Sequence, residues 1–386
     1  MNEKYIEKIR TTYTSNFSQE PTMIGAPGRI NILGEHTDYN NGFVLPAAVD
    51  KMTYLAVGVS GGDVCEIIAH DLEEKITFNI QDELHPKDQH WSNYILGVVD
   101  EIKKLKKPLQ GFNCVFGGDI PIGAGMSSSA ALECGVIFGL NELFNLGFDR
   151  MEIARLGQAA EHHFVGVKCG IMDQFANMYG QPNSAIELDC KSMDFKYHPS
   201  SFQNVSLMLF DTRVHHSLGD SEYNKRRKEC EQGVSALQNA FPGIESLRDA
   251  TLEQLEQIKD QISEVVYRRC SFIIKENQRV SQAARALEEG DFTTLGNIMY
   301  TTHNGLSSDY EVSCEELDFL VKESVKYPEI LGARMMGGGF GGCTLNLVQD
   351  NHSPNMIDEI GKNFAGQFGH DMKVYPVNIA RGTSVI

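Results

Sequence analysis

Long apolar runs are missing from this sequence. No stretch of its 386 residues approaches the roughly 20 consecutive apolar residues that a membrane-spanning helix requires. The first residues, MNEKYIEKIRTTYTSNF, also lack the apolar segment of a secretory signal peptide. We therefore expect a cytoplasmic protein with no part in a membrane.

Paired cysteines are also missing. The nine cysteines form no CxxC motif, and no two of them lie closer than 20 residues. This spacing fits neither a disulfide framework nor a cysteine zinc site, so we expect reduced thiols.

An excess of basic charge is absent as well. Lysine and arginine number 34 against 52 aspartates and glutamates, which gives a net charge of −18. This balance argues against a dedicated nucleic-acid binder and against a protein that binds anionic membranes. The one basic run, KRRK at 225–228, is therefore expected to be a solvated helix face.

The composition that remains is that of a globular protein. Hydrophobic residues make up 41% and charged residues 22%. At about 100–200 residues per domain the length indicates two or three domains, and we place one over 1–200 and another over 201–386. Hydrophobic periodicity predicts a mixed α+β chain. Its helices are predicted at 5–17, 91–106, 127–144, 149–164, 219–240, 250–287, 314–325 and 355–367, and its strands at 52–59, 111–118, 205–213, 343–348 and 373–379, with a hairpin at 65–80.

The segment PIGAGMSSSAA at 121–131 is a candidate phosphate site. A proline and two glycines form a turn, and three serines then open an apolar helix. A helix start offers free N–H groups and the positive end of the helix dipole, which suit a phosphate. A single N-cap would explain one serine but not three. The Walker A pattern GxxxxGK[ST] is absent.

A second glycine-rich run, GGGFGG, lies at 337–342. It satisfies GxGxxG, but the strand-like CTLNLV follows where a dinucleotide-binding motif requires a helix. The run is either a tight turn or a place where the backbone approaches a ligand closely.

The densest group of polar residues lies in GAPGRINILGEHTDYNNGFVLP at 25–46. Arg29, Asn31, Glu35, His36 and Asp38 fall within ten residues, between glycines and apolar residues. Side chains that donate and accept hydrogen bonds in such an array suit a polyhydroxylated ligand such as a sugar.

Three of these segments together resemble one family. GRINILGEHTDYNNGFVLP resembles the galactokinase signature, PIGAGMSSSAAL is similar to the phosphate loop of the GHMP small-molecule kinases, and MMGGGFGGC is similar to their third motif. AEHHFVGVKCGIMDQF and HSLGDSEYNKRR resemble further galactokinase segments. The resemblance extends over essentially the whole chain, and the first motif favours galactokinases over mevalonate or homoserine kinases.

The resemblance implies a fold and an activity. The fold is the two-lobed GHMP kinase fold of the α+β class, with an N-terminal ribosomal-protein-S5-domain-2-like lobe, a C-terminal ferredoxin-like lobe and the active site in the cleft. The activity is transfer of the γ-phosphoryl group of ATP, with Mg²⁺, to the anomeric hydroxyl of galactose, giving galactose 1-phosphate. We expect a monomer or a weak dimer.

Two alternatives stay open. A related sugar kinase could act on N-acetylgalactosamine, galacturonate or arabinose, because specificity often depends on one or two pocket side chains. A sensor could bind sugar and ATP without catalysis, but such a protein would be expected to lose residues of the phosphate loop or the catalytic pair, which are present here.

The resemblance also implies residue roles. Asp173 and Arg29 match the catalytic pair, and Asp173 also belongs to the sugar site. The remaining sugar ligands are Glu35, His36, Asp38, Gly170 and Tyr223. The nucleotide site comprises Gly123, Ala124, Gly125, Met126, Ser127, Ser128 and Ser129 over the phosphates, and Trp91 and Tyr94 at the adenine. The magnesium ligands are Ser129 and Glu161. Three positions depart from the commonest family pattern, namely Met126, Met336 and His215, and the last bears on a phosphate contact.

The chemistry of the catalytic pair can be anticipated. An aspartate has a pKa of about 3.9, and Arg29 is expected to lower the pKa of Asp173 further. Asp173 would therefore be a poor base toward a free hydroxyl. We expect it to orient the hydroxyl and to receive the proton late, once the bond to phosphorus has begun to form. Arg29 would stabilise both the carboxylate and the transferring group.

Overall fold

The structure is a computed structural model that describes residues 1–88, 90–121, 123–200, 202–214, 219–353 and 355–386. Its α-helices are α1 (Glu3–Asn16), α2 (Ser92–Lys104), α3 (Ser128–Phe144), α4 (Arg150–Ala160), α5 (Met172–Tyr179), α6 (Gly219–Ala240), α7 (Leu252–Gln257), α8 (Glu264–Glu289), α9 (Phe292–Ser308), α10 (Glu315–Ser324) and α11 (Met356–Phe368). Its strands are β1 (Thr22–Asn31), β2 (Phe43–Val44), β3 (Pro46–Val59), β4 (Val64–Ala69), β5 (Glu74–Asn79), β6 (Phe112–Gly118), β7 (Ser184–Asp189), β8 (Phe195–Pro199), β9 (Val205–Asp211), β10 (Ile330–Met335), β11 (Cys343–Gln349), β12 (Lys373–Val377) and β13 (Ser384–Val385).

The first sheet has six strands in the order β13–β1–β3–β6–β4–β5. All neighbouring strands are antiparallel except β4 and β6. The central strand β3 is apolar along most of its length because both faces are covered. Leu55 and Val57 lie in the main core with α3, whereas Tyr54 and Ala56 pack on the opposite face, against α1.

The second sheet has four antiparallel strands in the order β10–β11–β9–β12. Helices precede β10 and β12, and this strand order is that of a ferredoxin-like β-α-β-β-α-β unit. Helices α9 and α10 pack against β10, and α8 packs against α9. A third, smaller sheet has the order β2–β7–β8.

The site is positioned by the ends of these elements. Strand β1 leads into the signature segment, α3 begins at the serine run, and α5 begins at the GIMDQ segment. The glycine run at 337–342 joins β10 to β11, so the predicted tight turn is present. None of the helices in the described ranges combines the length and apolar character that crossing a membrane requires.

The predicted single helix at 250–287 is wrong. The chain forms α7, a short 3₁₀ turn at Lys259–Gln261, and then α8. The Ser263 hydroxyl accepts a hydrogen bond from Val266 N at 3.2 Å, so this serine caps a new helix. Helix α9, which we did not predict, begins in the same way with Asp291, whose side chain accepts from Thr294 N at 2.9 Å.

The basic run KRRK is not a solvated helix face throughout. Lys225 and Lys228 are exposed, but Arg226 is only 5% exposed. Its guanidinium donates to the carbonyl oxygens of Tyr310 and Glu311, both at 2.7 Å. Arg226 therefore faces the segment after α9 and not the solvent.

The domain boundary after residue 200 stays a prediction. The last strand, β13, returns to pair with β1 in the first sheet, with Gly25 opposite Ser384. The C-terminal end of the chain thus contributes to the N-terminal sheet.

Candidate active site

One cavity of about 260 Å³ collects most of the predicted site residues. Its lining among the described residues comes from the signature segment, α2, α3, the region around α5, α6 and the glycine run. These residues are Arg29, Glu35, His36, Asp38, Tyr94, Ser129, Glu161, Val167, Cys169, Gly170, Met172, Asp173, Tyr223, Gly337, Gly338, Gly339 and Phe340. The glycine run is therefore both a turn and part of the cavity wall.

Arg29 and Asp173 form a bidentate ion pair at this cavity. Arg29 Nε donates to Asp173 Oδ1 at 2.7 Å, and Nη2 donates to Oδ2 at 2.9 Å. Burial alone would lower the pKa of Arg29, but the charges of Asp173 and Glu35 outweigh it and raise that pKa. The pair has the fork geometry of strong arginine–carboxylate contacts.

The phosphate loop is tied to this pair. Arg29 Nη1 donates to the carbonyl oxygen of Gly125, and the Ser127 hydroxyl donates to Asp173 Oδ2. Ser127 has a left-handed backbone (φ 55°), and its side chain does not cap α3. The Ser127 side chain therefore leaves the first N–H groups of α3 uncapped, and such free groups suit a phosphate.

Glu35 is buried and held by several donors. Its Oε1 accepts from Arg334 Nη2 at 3.0 Å and from Gly337 N at 2.8 Å, and its Oε2 accepts from Asn31 Nδ2 at 2.5 Å. Glu35 lines the cavity and also joins the signature segment to the glycine run.

His36 and Asp38 are buried acceptor groups of the same wall. His36 Nδ1 lies 2.8 Å from the Tyr39 hydroxyl, while Nε2 makes no hydrogen bond within the described part of the structure. Burial, helped by the charge of Arg226, lowers the pKa of His36 to about 3, so the ring is neutral. Burial and then the charge of Asp173 raise the pKa of Asp38 to about 7.

Gly170 has to be a glycine at this site. A Cβ at this position would lie 1.9 Å from Asp38 Oδ2. Tyr223 closes the other side, with its ring 5.3 Å from the ring of His36. Of the residues predicted to hold the sugar, Gly170 thus lies against Asp38 and Tyr223 against His36.

Glu161 and Ser129 line the same cavity, as a shared role at the phosphates requires. Glu161 begins a π-helical turn, Glu161–Val165, that continues α4, and such turns are frequent at functional sites. Behind it lies Glu133, which is fully buried. Burial first, and then the charge of Glu161, raise the pKa of Glu133 well above its usual value.

The two predicted adenine contacts are placed differently. Tyr94 lines the cavity, whereas Trp91 is not among its described lining residues. The Trp91 ring packs 5.3 Å from Phe116, and Nε1 donates to Glu74 Oε2 at 2.5 Å. Both nucleotide roles stay predictions.

Two of the three departures from the family pattern lie in the core of the protein. Met126 and Met336 are buried in the core, each 1% exposed. His215 lies outside the described residues.

Sequence reasoning missed the residues that support the site from behind. Arg334 donates to Glu35 and also to the carbonyl oxygens of Ile32, at 2.9 Å, and of Asn31. Glu276 and Asn277, on α8, accept hydrogen bonds from the signature segment. The only available signal was their polarity at positions of apolar elements: ILGARM for Arg334 and SFIIKENQRV for the other two.

Family models match three parts of the chain. Residues 11–59 match the galactokinase galactose-binding signature, residues 93–181 match the GHMP kinases N terminal domain, and residues 283–366 match the GHMP kinases C terminal domain. These ranges include the signature, the phosphate loop and the glycine run.

Relatives are similar along nearly the whole chain. A galactokinase of Clostridium perfringens (strain SM101 / Type A) is 37% identical over 382 residues, 98% of each chain. A galactokinase of Homo sapiens is 37% identical over 369 residues, which cover 94% of this chain and 92% of that protein.

Solved structures share the fold. The Lactococcus lactis galactokinase complexed with galactose has a TM-score of 0.93 at 31% identity, covering 100% of this chain and 99% of that chain. The Methanococcus jannaschii mevalonate kinase has a TM-score of 0.68 at 19% identity, covering 94% and 99%, which is a likeness of fold alone. The predicted two-lobed α+β fold is confirmed.

Proposed function

The chain belongs to the galactokinase family of the GHMP kinases, and from this premise we propose how its cavity phosphorylates galactose. The protein is an ATP-dependent sugar kinase that transfers the γ-phosphoryl group of ATP to galactose. The acceptor atom in this proposal is the oxygen of the anomeric hydroxyl, and the product is galactose 1-phosphate. The observation that carries the mechanism is the bidentate Arg29–Asp173 pair, which lies where the sugar residues meet the phosphate loop.

The acceptor hydroxyl lies against Asp173 in this proposal. The hydroxyl oxygen attacks the γ-phosphorus, the new O–P bond forms as the bond to the β-phosphate oxygen breaks, and ADP leaves with the electron pair. The hydroxyl proton passes to Asp173 late in the step, once the new O–P bond has begun to form, and Arg29 holds the carboxylate in place through their ion pair. The guanidinium also stabilises charge on the transferring group, since phosphoryl transfer depends mostly on positioning and electrostatics.

The start of α3 receives the phosphates. The helix start lies next to Asp173, because the Ser127 hydroxyl donates to Asp173 and the Gly125 carbonyl oxygen accepts from Arg29. Glu35, His36, Asp38, Gly170 and Tyr223 hold the sugar hydroxyls on the opposite wall. Tyr94 and Trp91 contact the adenine.

Ser129 and Glu161 are the residues that would hold Mg²⁺. Both offer oxygen, the ligand that Mg²⁺ prefers, and both line the cavity. The described residues contain no group of three or more His, Cys, Asp or Glu side chains able to hold a metal ion alone, which fits an ion that keeps phosphate and water ligands. When bound, Mg²⁺ supplies charge neutralisation at the phosphates.

An acceptor panel tests the activity. ADP release is measured with Mg-ATP and, in turn, galactose, N-acetylgalactosamine, galacturonate, arabinose, glucose and mevalonate. We expect strong turnover on galactose and a product of the mass of a hexose phosphate. Preference for another sugar would refute the assigned acceptor, and galactose binding without turnover would make the protein a sensor.

Replacing Asp173 tests the mechanism. We expect Asp173→Asn to lower kcat by at least about 10³-fold, because the proton acceptor is lost, while Mg-ATP binds as before. Asp189→Asn is the matched control, since Asp189 is also paired with an arginine, Arg248, but does not line the cavity. Near-normal turnover of Asp173→Asn would remove Asp173 from the mechanism.

The cellular compartment and the oligomeric state of the protein belong to the same proposal. All nine cysteines are free, which suits a reducing compartment, and we assign the protein to the cytoplasm as a monomer or a weak dimer without nucleic-acid or membrane partners. Light scattering across a concentration series tests the oligomeric state, and a stable higher oligomer would contradict it.

A further inference from the structure

The sugar-binding part of the signature forms a closed loop at residues 34–43. The Thr37 hydroxyl bonds to the carbonyl oxygens of Gly34 and Phe43, at 2.7 and 2.6 Å, and therefore joins the two ends. Leu45 N donates to Leu33 O at 2.9 Å just outside the loop. A loop closed in this way moves as one unit, carrying the side chains it presents to the cavity.

Both ends of this loop are held by two consecutive residues of α8. Gly34 N donates to Glu276 Oε1 at 3.0 Å, and Phe43 N donates to Asn277 Oδ1 at 2.9 Å. Helix α8 lies more than 200 residues further along the chain, so the anchor comes from the other half of the molecule.

The two anchors are themselves fixed. Glu276 is fully buried, and its second oxygen accepts from Arg279 Nε at 2.6 Å and from the Thr302 hydroxyl at 2.9 Å. Asn277 is 8% exposed, and its Nδ2 donates to Ile273 O at 3.0 Å. Neither side chain has freedom to follow a displaced loop.

The loop also approaches the anchors too closely to shift toward them. A Cβ at Gly42 would lie 2.3 Å from Asn277 Oδ1. Gly34 has a φ of +96°, which only a glycine adopts readily, and a Cβ there would lie 2.6 Å from Phe43 O. The position of the loop is therefore constrained by the backbone bonds to α8, together with Cys190 N, which donates to Gly42 O at 2.9 Å, and Arg248, which donates to Asn41 O at 3.3 Å.

We propose that Glu276 and Asn277 are positioning residues for the sugar acceptor: by holding both ends of loop 34–43 they keep His36 and Asp38 facing the cavity. This inference rests on the proposed function, since it assumes that the loop binds galactose. Neither anchor lines the cavity, so neither is a catalytic residue.

Asn277→Leu tests the proposal. It removes the acceptor of Phe43 N and should weaken galactose binding about tenfold, the order expected for losing one hydrogen bond to a partly buried group, while Mg-ATP affinity changes less than twofold. Galactose and Mg-ATP dissociation constants are measured separately by titration calorimetry. Amide hydrogen exchange should accelerate in 34–43 and not in the phosphate loop.

Glu276→Gln is the second variant, because it changes no volume. An amide has one acceptor oxygen where the carboxylate has two, so Gly34 N and Arg279 can no longer both be satisfied. The same selective loss of galactose affinity is expected. Asn277→Asp, by contrast, keeps an acceptor for Phe43 N, and this variant should bind galactose as the unmodified protein does.

Asn346→Leu is the matched control. Asn346 is a fully buried asparagine of β11 with hydrogen bonds to Met208 and Thr344, and it does not touch the loop. The proposal fails if galactose affinity is unchanged in folded Asn277→Leu and Glu276→Gln, if galactose and Mg-ATP affinities fall in parallel in these two variants, or if Asn346→Leu has the same effect. Absence of galactose binding in the unmodified protein would instead refute the proposed function.

Discussion

Four carboxylates, those of Glu35, Asp38, Glu161 and Asp173, line one cavity, and Asp173 and Glu35 each have an arginine partner at hydrogen-bond distance. Asp38 lies beside them, 8% exposed, and its pKa is raised to about 7 by burial and then by the charge of Asp173. The folded protein therefore keeps a proton on Asp38 that the unfolded chain releases near pH 4. Ionising Asp38 in the folded protein therefore costs free energy, because its carboxylate is buried in the cavity wall beside Asp173.

Replacing Asp38 by asparagine should reveal that cost as a pH-dependent difference in the free energy of unfolding between the variant and the unmodified protein. Between about pH 4 and pH 7 the folded state binds more protons than the unfolded state, so the stability of the unmodified protein falls as pH rises, by up to about 1.4 kcal/mol per unit. Asp38→Asn lacks this group, so its stability relative to the unmodified protein should rise over the same window and level off above pH 7. Urea unfolding at a series of pH values measures the difference.

Asp189→Asn provides a control of opposite sign. Burial alone would raise the pKa of Asp189, but hydrogen bonds from Arg248 and the backbone outweigh it and lower the pKa. The unmodified protein gains stability from Asp189 above the unfolded pKa, so this variant should become relatively less stable as pH rises through about 4. Parallel curves for Asp38→Asn and the unmodified protein would show that Asp38 titrates as in the unfolded chain.

At the scale of elements, the strongly periodic segments were predictable and the interruptions were not. The hairpin of β4 and β5 and the helices α2, α3 and α11 lie where periodicity placed them. The prediction for 250–287 failed because polar helix residues continue across the break, and only the cap marks the new start. In the sequence SEVV at 263–266, Ser263 is the residue that indicates this new helix start.

Ser263→Ala should measure the contribution of this cap to the free energy of unfolding. Losing the side-chain acceptor of Val266 N should reduce the free energy of unfolding by about 1 kcal/mol, with no effect on turnover because α8 begins far from the cavity. Ser308→Ala, at an exposed serine in the last turn of α9, should change stability by less than about 0.5 kcal/mol. Equal effects of both substitutions on stability would show that Ser263 does not act as a cap.

At the site, too, some residues were predictable from the sequence and others were not. Residues that face the cavity lie in motifs, and their clustering was visible because glycines and apolar residues surround them. Arg334, Glu276 and Asn277 were not predictable, since each is one polar residue in an apolar strand or a long helix. Their roles depend on contacts with residues 234 to 303 positions away, and local pattern carries no information on such distances.

At the scale of the whole molecule, these long-range contacts connect the residues on either side of the predicted boundary. Glu35 and Arg334 form one of them at 3.0 Å, and their side chains are 1% exposed and fully buried, respectively. Because Gly337 N also bonds Glu35, one carboxylate joins the sugar loop, β10 and the glycine run. We expect the two halves to unfold together for this reason.

A double-mutant cycle on Glu35→Gln and Arg334→Met should therefore give a large coupling energy, about 2–4 kcal/mol, since breaking a buried pair leaves the other charge uncompensated. The control is the exposed pair Lys196–Glu288, at 2.7 Å, which also joins the two halves and should couple by less than about 1 kcal/mol. Unfolding in urea is followed by circular dichroism and by the fluorescence of Trp91, and coincident curves justify a single free energy of unfolding. A coupling no larger than that of the exposed pair would mean that the buried contact does not hold the halves together.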